Sequence, residues 1–319
     1  MENGKEPASF IKTNPKKMNL TNKQQEIVFA PFRRILISAA AGTGKTLVLT
    51  ERIKHLLDNL KFSPYDILAL TFTRYAANEM KTRLKNDKIE IRTFHSWALN
   101  NLRMFGSESG YSKDTDVITE VERGELLQEI ASECKFTIGR DFVYRDLIWQ
   151  LVIEQPIGES YTNRQQKIII RDLWQIYTQY HLTDYDKIIY DFVRLIHESN
   201  TIIKYLRNKY KHILIDEFQD TNEHIWDIFR RIDPENLFIV GDVDQCIYKF
   251  NGSKPEIMTA IANEVQSNGW NLFLLEENWR CPIDVVRSAD KLIGYNLKRI
   301  ERTMTGIKSD YHNKIEILN

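Results

Sequence analysis

Two separated stretches carry side chains whose order points to phosphate chemistry. "SAAAGTGKT", residues 38–46, ends in Gly44-Lys45-Thr46, the second half of the phosphate-loop pattern G-x-x-x-x-G-K-[ST], with Ala39 where the first glycine usually falls. Gly42 and Gly44 permit close backbone approach and positive φ, so the loop N–H groups and the positive end of a following helix would form an anion cradle. Lys45 would reach the β- and γ-phosphates of a nucleotide, and Thr46 would set its hydroxyl on Mg²⁺. The competing reading of the same residues is an ordinary strand-turn-helix corner. A phosphate loop further requires a metal-holding carboxylate at the end of another buried strand. "HILIDEFQD" supplies Asp216 for the metal and Glu217, one residue on, to polarise an attacking water as general base. In "LFIVGDVDQ", Gln245 is placed to hydrogen-bond a γ-phosphate, whereas Asp242 and Asp244 read almost as well as a solvated turn.

These groups need a scaffold, and its signals lie at both ends of the chain. Ile35–Ile37, Ile67–Thr71, Ile89–Ile91, Ile213–Ile215, Leu237–Val240 and Leu272–Leu275 are apolar without alternation, the pattern of strands buried on both faces of a parallel sheet. Helical stretches follow, at Lys45–Leu57 and Ala76–Leu84, giving the βαβ rhythm of an α/β domain. Between about residues 103 and 205 the rhythm becomes purely helical. Ile170, Leu173, Trp174, Tyr177 and Tyr180 recur at spacings of three and four, as do Ile188, Ile189, Phe192, Val193 and Ile196. The expected architecture is an α/β domain with a parallel sheet, interrupted by an all-helical inserted subdomain over 103–205.

The 319 residues hold 44 Lys+Arg and 44 Asp+Glu, so binding to a polyanion must rest on a local groove rather than on overall charge. Cys134, Cys246 and Cys281 form no C-x-x-C pair, which argues against a metal knuckle and suggests a reducing, cytoplasmic compartment. No run approaches membrane-spanning length, no membrane partner is expected, and residues 1–17 read as disordered.

Taken together, the segments resemble the ATPase half of a superfamily 1 DNA helicase of the UvrD, Rep and PcrA type. "LTNKQQEIV" resembles that family's Q motif, "AAAGTGKT" its phosphate loop, which also favours alanine at its start, and "LALTFTRYAANEM" its "LTFTNKAAxEM" segment. "RTFHSWA" resembles "TFHS", "ILIDEFQDTN" and "IVGDVDQCIYKFNG" the carboxylate and sensor motifs, and "LEENWRCP" the "NYRS" motif. The resemblance implies a RecA-like ATP-binding domain over 18–102 and 206–285, with ATP and Mg²⁺ as cofactors. ATP would lie against Gln24, Ala41, Gly42, Thr43, Gly44, Lys45 and Thr46, with Gln24 reading adenine, Trp279 stacking on it and Arg280 acting as an arginine finger. Phe72, Thr73, His95, Tyr248 and Phe250 would face single-stranded DNA, the strand itself or a 3′-tailed duplex, with 3′ to 5′ polarity implied for the motor. Read without the resemblance, Phe72 and Phe250 are core residues.

Three departures stand out: Leu47 where relatives often place arginine, Asn251 for the arginine of "FRGA", and Lys187 in "DYDKII" for a carboxylate. Residues 286–319 resemble the start of a second RecA-like domain, with "KIEILN" as its first strand. The expectation is a motor half needing that second domain in cis or in trans. A naturally short nucleotide-dependent DNA-binding module, or one half of a two-chain complex, is the alternative.

Overall fold

Each of the six unbroken apolar runs lies wholly or in part on a strand. The computed structural model describes residues 20–138, 144–145, 147–148, 161–249, 252–265, 269–297 and 299–308. Among these, the strands in chain order are β1 (Arg34–Ala39), β2 (Ile67–Thr71), β3 (Glu90–Thr93), β4 (Asp116–Val117) and β5 (Leu182–Thr183). They continue with β6 (His212–Ile215), β7 (Asn236–Gly241), β8 (Trp270–Leu275), β9 (Glu277–Pro282) and β10 (Thr305–Lys308). Six of them form one parallel sheet in the order β3-β2-β6-β7-β1-β8, so the protein is α/β with a RecA-like sheet.

Alternate side chains along each strand enter opposite faces, and both faces are dry. Leu36, Leu68, Leu70, Ile213, Ile215, Leu237 and Ile239 fill one core, while Ile35, Ile37, Ile67, Ala69, Leu214, Phe238 and Val240 fill the other. The first core is closed by the helices Phe94–Met104, Tyr185–Glu198 and Glu223–Ile232, the second by Asn22–Val28 and Lys45–Asp58. Because all six strands run in one direction, the turns after β1, β6 and β7 leave the same edge of the sheet, where ligands of such sheets bind.

Two expectations need correction. The edge strand β3 covers Glu90–Thr93 rather than Ile89–Ile91, and the insertion is not wholly helical. Within it, Asp116 and Val117 pair in parallel with Leu182 and Thr183. The pairing is carried by Asp116 N and Ile118 N, which donate to the carbonyls of His181 and Thr183. Two residues are too few to show a strand period.

After β9 the helix Ile283–Ile293 leads to β10, which pairs in parallel with β9 and not with the central sheet. The expected disordered start, Phe250, Asn251 and the "KIEILN" strand lie outside the described residues. No helix among the described residues is long and apolar enough to cross a membrane.

Candidate functional site

The turn after β1 has the backbone of an anion cradle. Gly42 and Gly44 take φ of +69° and +91°, and a Cβ at either would strike a neighbour: Arg280 Cβ at 2.7 Å for Gly42, Gln24 Nε2 at 2.9 Å for Gly44. Any side chain at these two positions would thus be both strained and obstructed. The 14-residue helix Lys45–Asp58 begins directly on Gly44, and no side chain caps it, so its first-turn N–H groups and positive dipole end remain available to an anion. Ala39 and Ala40 are fully buried at the strand exit, where no larger side chain would fit without displacing the core.

Three strand ends converge here. Thr46 Oγ1 donates to Asp216 Oδ2 at 3.3 Å, joining the loop after β1 to the turn after β6. Lys45 Nζ lies 3.2 Å from Glu217 Oε2 and 3.2 Å from Gln245 Oε1, tying in the turn after β7. Burial and the neighbouring Glu217 carboxylate push the Asp216 carboxyl up to about 6, and the same two causes push Asp220 up to about 6. Asp220 Oδ1 is buried with no hydrogen-bond partner among the described residues. Among the described residues, Lys45 is the cation that offsets these carboxyls, so the donor set of one hydroxyl and clustered carboxylates is short of positive charge. A hard, oxygen-seeking divalent ion such as Mg²⁺ fits those residues. Glu217 itself adopts φ +52°, ψ +44°, a left-handed conformation that costs a non-glycine residue about 1–2 kcal/mol.

Gln24 is buried, and both ends of its amide are engaged: Oε1 accepts from Thr21 N at 3.0 Å, and Nε2 donates to Thr43 O at 3.0 Å. Thr43 is buried and its hydroxyl donates to Ala40 O. Trp279 and Arg280 lie on β9 beside the loop, with Trp279 N donating to Gly42 O at 2.9 Å and the indole about half exposed. On the opposite side of the strand-end surface, Phe72 and Tyr248 are half-buried, their rings 5.3 Å apart and tilted by 31°. Phe72 therefore stands against another ring at the surface, apart from the sheet cores. Thr73 is exposed and its hydroxyl caps the helix Arg74–Leu84. His95 is half-buried against Tyr185, ring centroids 5.4 Å apart, and burial lowers its imidazole to about 4, so it is neutral at pH 7.

Two positioning groups escaped the motif reading although each sits inside a motif. Gln219 bridges two turns: its Nε2 donates to Glu217 Oε2 at 2.9 Å, while its Oε1 accepts from Asp242 N at 2.9 Å. Asn278 pins β9 to the loop by donating to Ala41 O at 2.7 Å and accepting from the backbone N–H groups of Arg280 and Cys281. An amide-bearing residue in a motif is the only sequence signal either one offers. Asp242 and Asp244, for which a solvated turn was nearly as good a reading, have side chains almost fully buried on a cation, Arg302.

A family model described as the UvrD/REP helicase N-terminal domain matches residues 20–266. The ATP-dependent DNA helicases PcrA of Staphylococcus aureus and of Staphylococcus epidermidis are each 28% identical to this chain over 298 residues, covering 88% of it. The same alignments cover 40% and 41% of those two proteins, so the chain spans about two fifths of the length of the curated relatives it matches. The family model takes in well over half of the chain, which belongs to the UvrD/REP helicase N-terminal domain family.

Proposed function

We propose that this UvrD/REP-family chain is the ATP-binding half of a DNA motor that couples ATP hydrolysis to movement along single-stranded DNA. The observation that carries the reading is the convergence of Thr46 and Asp216, 170 residues apart in sequence, into one hydrogen bond beneath an uncapped helix N-terminus. In this reading the backbone N–H groups of residues 41–46 and the Lys45 ammonium hold the triphosphate. Thr46 and Asp216 would hold Mg²⁺, which would supply charge neutralisation to the phosphates.

Glu217 accepts the proton of the attacking water. Its left-handed backbone and the Gln219 amide aim the carboxylate, and Lys45 Nζ pairs with it at 3.2 Å until the phosphates claim the ammonium. Gln245 meets the γ-phosphate, and Arg280, exposed on β9 beside Gly42, stabilises charge developing there. Trp279 offers an exposed indole face to adenine. For Gln24 to read the base as well, its amide must leave the Thr43 carbonyl.

Phe72 and Tyr248 form the stacking platform for bases, worth about 1–3 kcal/mol per base and blind to sequence. His95, neutral, adds a hydrogen-bonding edge rather than a charge. Residues 18–102 and 206–285 make up the ATP-binding domain in this proposal, 103–205 the inserted subdomain, and 286–319 the start of a second motor domain that closes the cleft during turnover.

Lys45→Ala is the direct test. It should weaken binding of a fluorescent ATP analogue by roughly 100-fold, the loss expected for a charge-assisted phosphate contact in a sheltered site. Unchanged affinity would remove the phosphate-loop assignment.

A further inference from the structure

Arg302 is a charged side chain with no assigned task, and it is almost completely buried. It lies in the segment between the helix Ile283–Ile293 and β10, and its guanidinium is inserted between the ends of two adjacent sheet strands. One arm, Nη1, donates to Ser38 Oγ at 2.7 Å, at the exit of β1 directly before the phosphate loop. The other, Nη2, donates to Asp242 Oδ1 and to Asp244 Oδ2, in the turn after β7. The segment is held there by further bonds. Arg299 donates to the Arg302 carbonyl, Thr303 N to Glu276 Oε1, Met304 N to Asp290 Oδ1, and Ile300 is buried in the larger core.

A buried ion pair is a poor way to obtain stability, because its desolvation cost offsets most of its attraction and apolar residues of similar volume serve as well. What this one fixes is orientation. Asp242 Oδ2 accepts from Gln245 Nε2, and Gln245 Oε1 in turn accepts from Lys45 Nζ. A single relay thus runs from Arg302 through Asp242 and Gln245 to Lys45, while Asp242 N is also held by Gln219, the amide that aims Glu217. Without the guanidinium, Asp242 would be a buried carboxylate free to turn towards other donors, and Gln245 would lose its anchor.

We propose that Arg302 is a positioning residue of the nucleotide site: its fork on Ser38 and Asp242 holds Gln245 in the pose that distinguishes ATP from ADP, and so links the β9–β10 unit to γ-phosphate sensing. The inference rests on the nucleotide reading above and adds to it a residue beyond the matched span of 20–266. The linkage has a physical direction. β10 pairs with β9 and not with the central sheet; Asn278 and Trp279 tie this small unit to the phosphate loop and Asn296 ties it to Asp244, while Arg302 is its direct contact with Asp242, the carboxylate that anchors the sensor glutamine.

The test is competition of ATP and of ADP, each with Mg²⁺, against a fluorescent nucleotide on the 319-residue chain. The proteins compared are wild type, Arg302→Ala, Arg302→Lys, Gln245→Ala and the Arg302→Ala/Gln245→Ala double variant. Arg302→Ala should cut the preference for ATP over ADP about tenfold, the effect of one charge-assisted hydrogen bond, with ADP affinity changed less than about twofold. The double variant should be no worse than Gln245→Ala alone, because both substitutions break one relay. Arg302→Lys, whose ammonium cannot span Ser38 and both carboxylates together, should fall between. Equal loss of ATP and ADP in Arg302→Ala would make the residue merely structural and overturn the proposal, as would multiplicative effects in the double variant. A wild-type chain that binds both nucleotides without preference overturns it too. If Arg302→Ala fails to fold, Arg302→Lys decides, and wild-type preference in that variant is a refutation. A wild-type chain that binds neither nucleotide removes the function itself, and this inference with it.

Discussion

Carboxylates cluster in two regions of the molecule, and the charge around them is arranged in opposite ways. In the insertion, Asp186 receives Arg123 Nη1 at 2.9 Å and Arg145 Nε at 2.6 Å, and Asp191 receives Lys187 Nζ at 2.6 Å and the Tyr111 hydroxyl at 2.7 Å. Asp184 takes the Tyr177 hydroxyl at 2.7 Å and caps the helix Tyr185–Glu198. Burial and these neighbouring carboxylates push the Tyr111 and Tyr177 phenols above their ordinary range, so they serve as permanent donors. At the strand ends, Asp216, Glu217 and Asp220 share Lys45 as the one cation acting on them among the described residues, where one Asp220 oxygen also has no partner. The first region is balanced internally and acts as a bolt between segments of the insertion itself. The second is balanced only when something positive arrives. Buried carboxylates alone do not mark a site; the absence of their counter-charge does.

The contrast is sharpest in stability. Arg123→Ala should have the largest effect, a loss of about 3–5 kcal/mol in urea unfolding, because it leaves Asp184 and Asp186 buried and short of a cation. A loss below about 1 kcal/mol would mean that water reaches the pair and the bolt is superficial.

Asp216→Asn should act in the opposite sense, stabilising the nucleotide-free chain by about 1–3 kcal/mol at pH 7.5. The folded carboxyl, at about 6, sits above its ordinary value. It therefore favours the fold fully only when protonated, below about pH 4, and this contribution is lost as pH rises through 6. The gain from the substitution should accordingly be largest above pH 6 and vanish towards pH 4, as read from thermal midpoints across that range. A destabilised variant at pH 7.5 would show that the carboxylate is already compensated.

Smallest of all should be the paired change Phe72→Ala and Tyr248→Ala, which removes two half-buried surface rings and should alter stability by no more than about 1 kcal/mol. Binding to oligo-dT should nevertheless weaken by about tenfold or more. A collapse of the thermal midpoint would return both rings to the core.

The departures noted in the sequence find places in this contrast. Lys187, standing for a carboxylate, is satisfied by Asp191 and lies 4.5 Å from the Trp174 ring, so the substitution adds a cation to the balanced region. Leu47 packs against the core beneath the loop. Asn251 lies outside the described residues.

The sequence by itself determined the sheet and the loop. Unbroken apolar runs can be buried only on both faces, and a positive-φ glycine pair between strand and helix admits few alternatives, so Ile35–Ile37 and Gly42–Thr46 were legible as they stand. It also ordered the carboxylates behind a strand. What only the tertiary structure decided is which charges meet. Ser38, Asp242 and Arg302 are joined across 264 residues, and Lys45 finds Gln245 across 200, contacts set by strand order and not by any local period. The sequence sums to zero charge and cannot reveal that one cluster is paired while another waits. Coulomb attraction falls with distance and rises with burial, and both quantities exist only once the chain has folded.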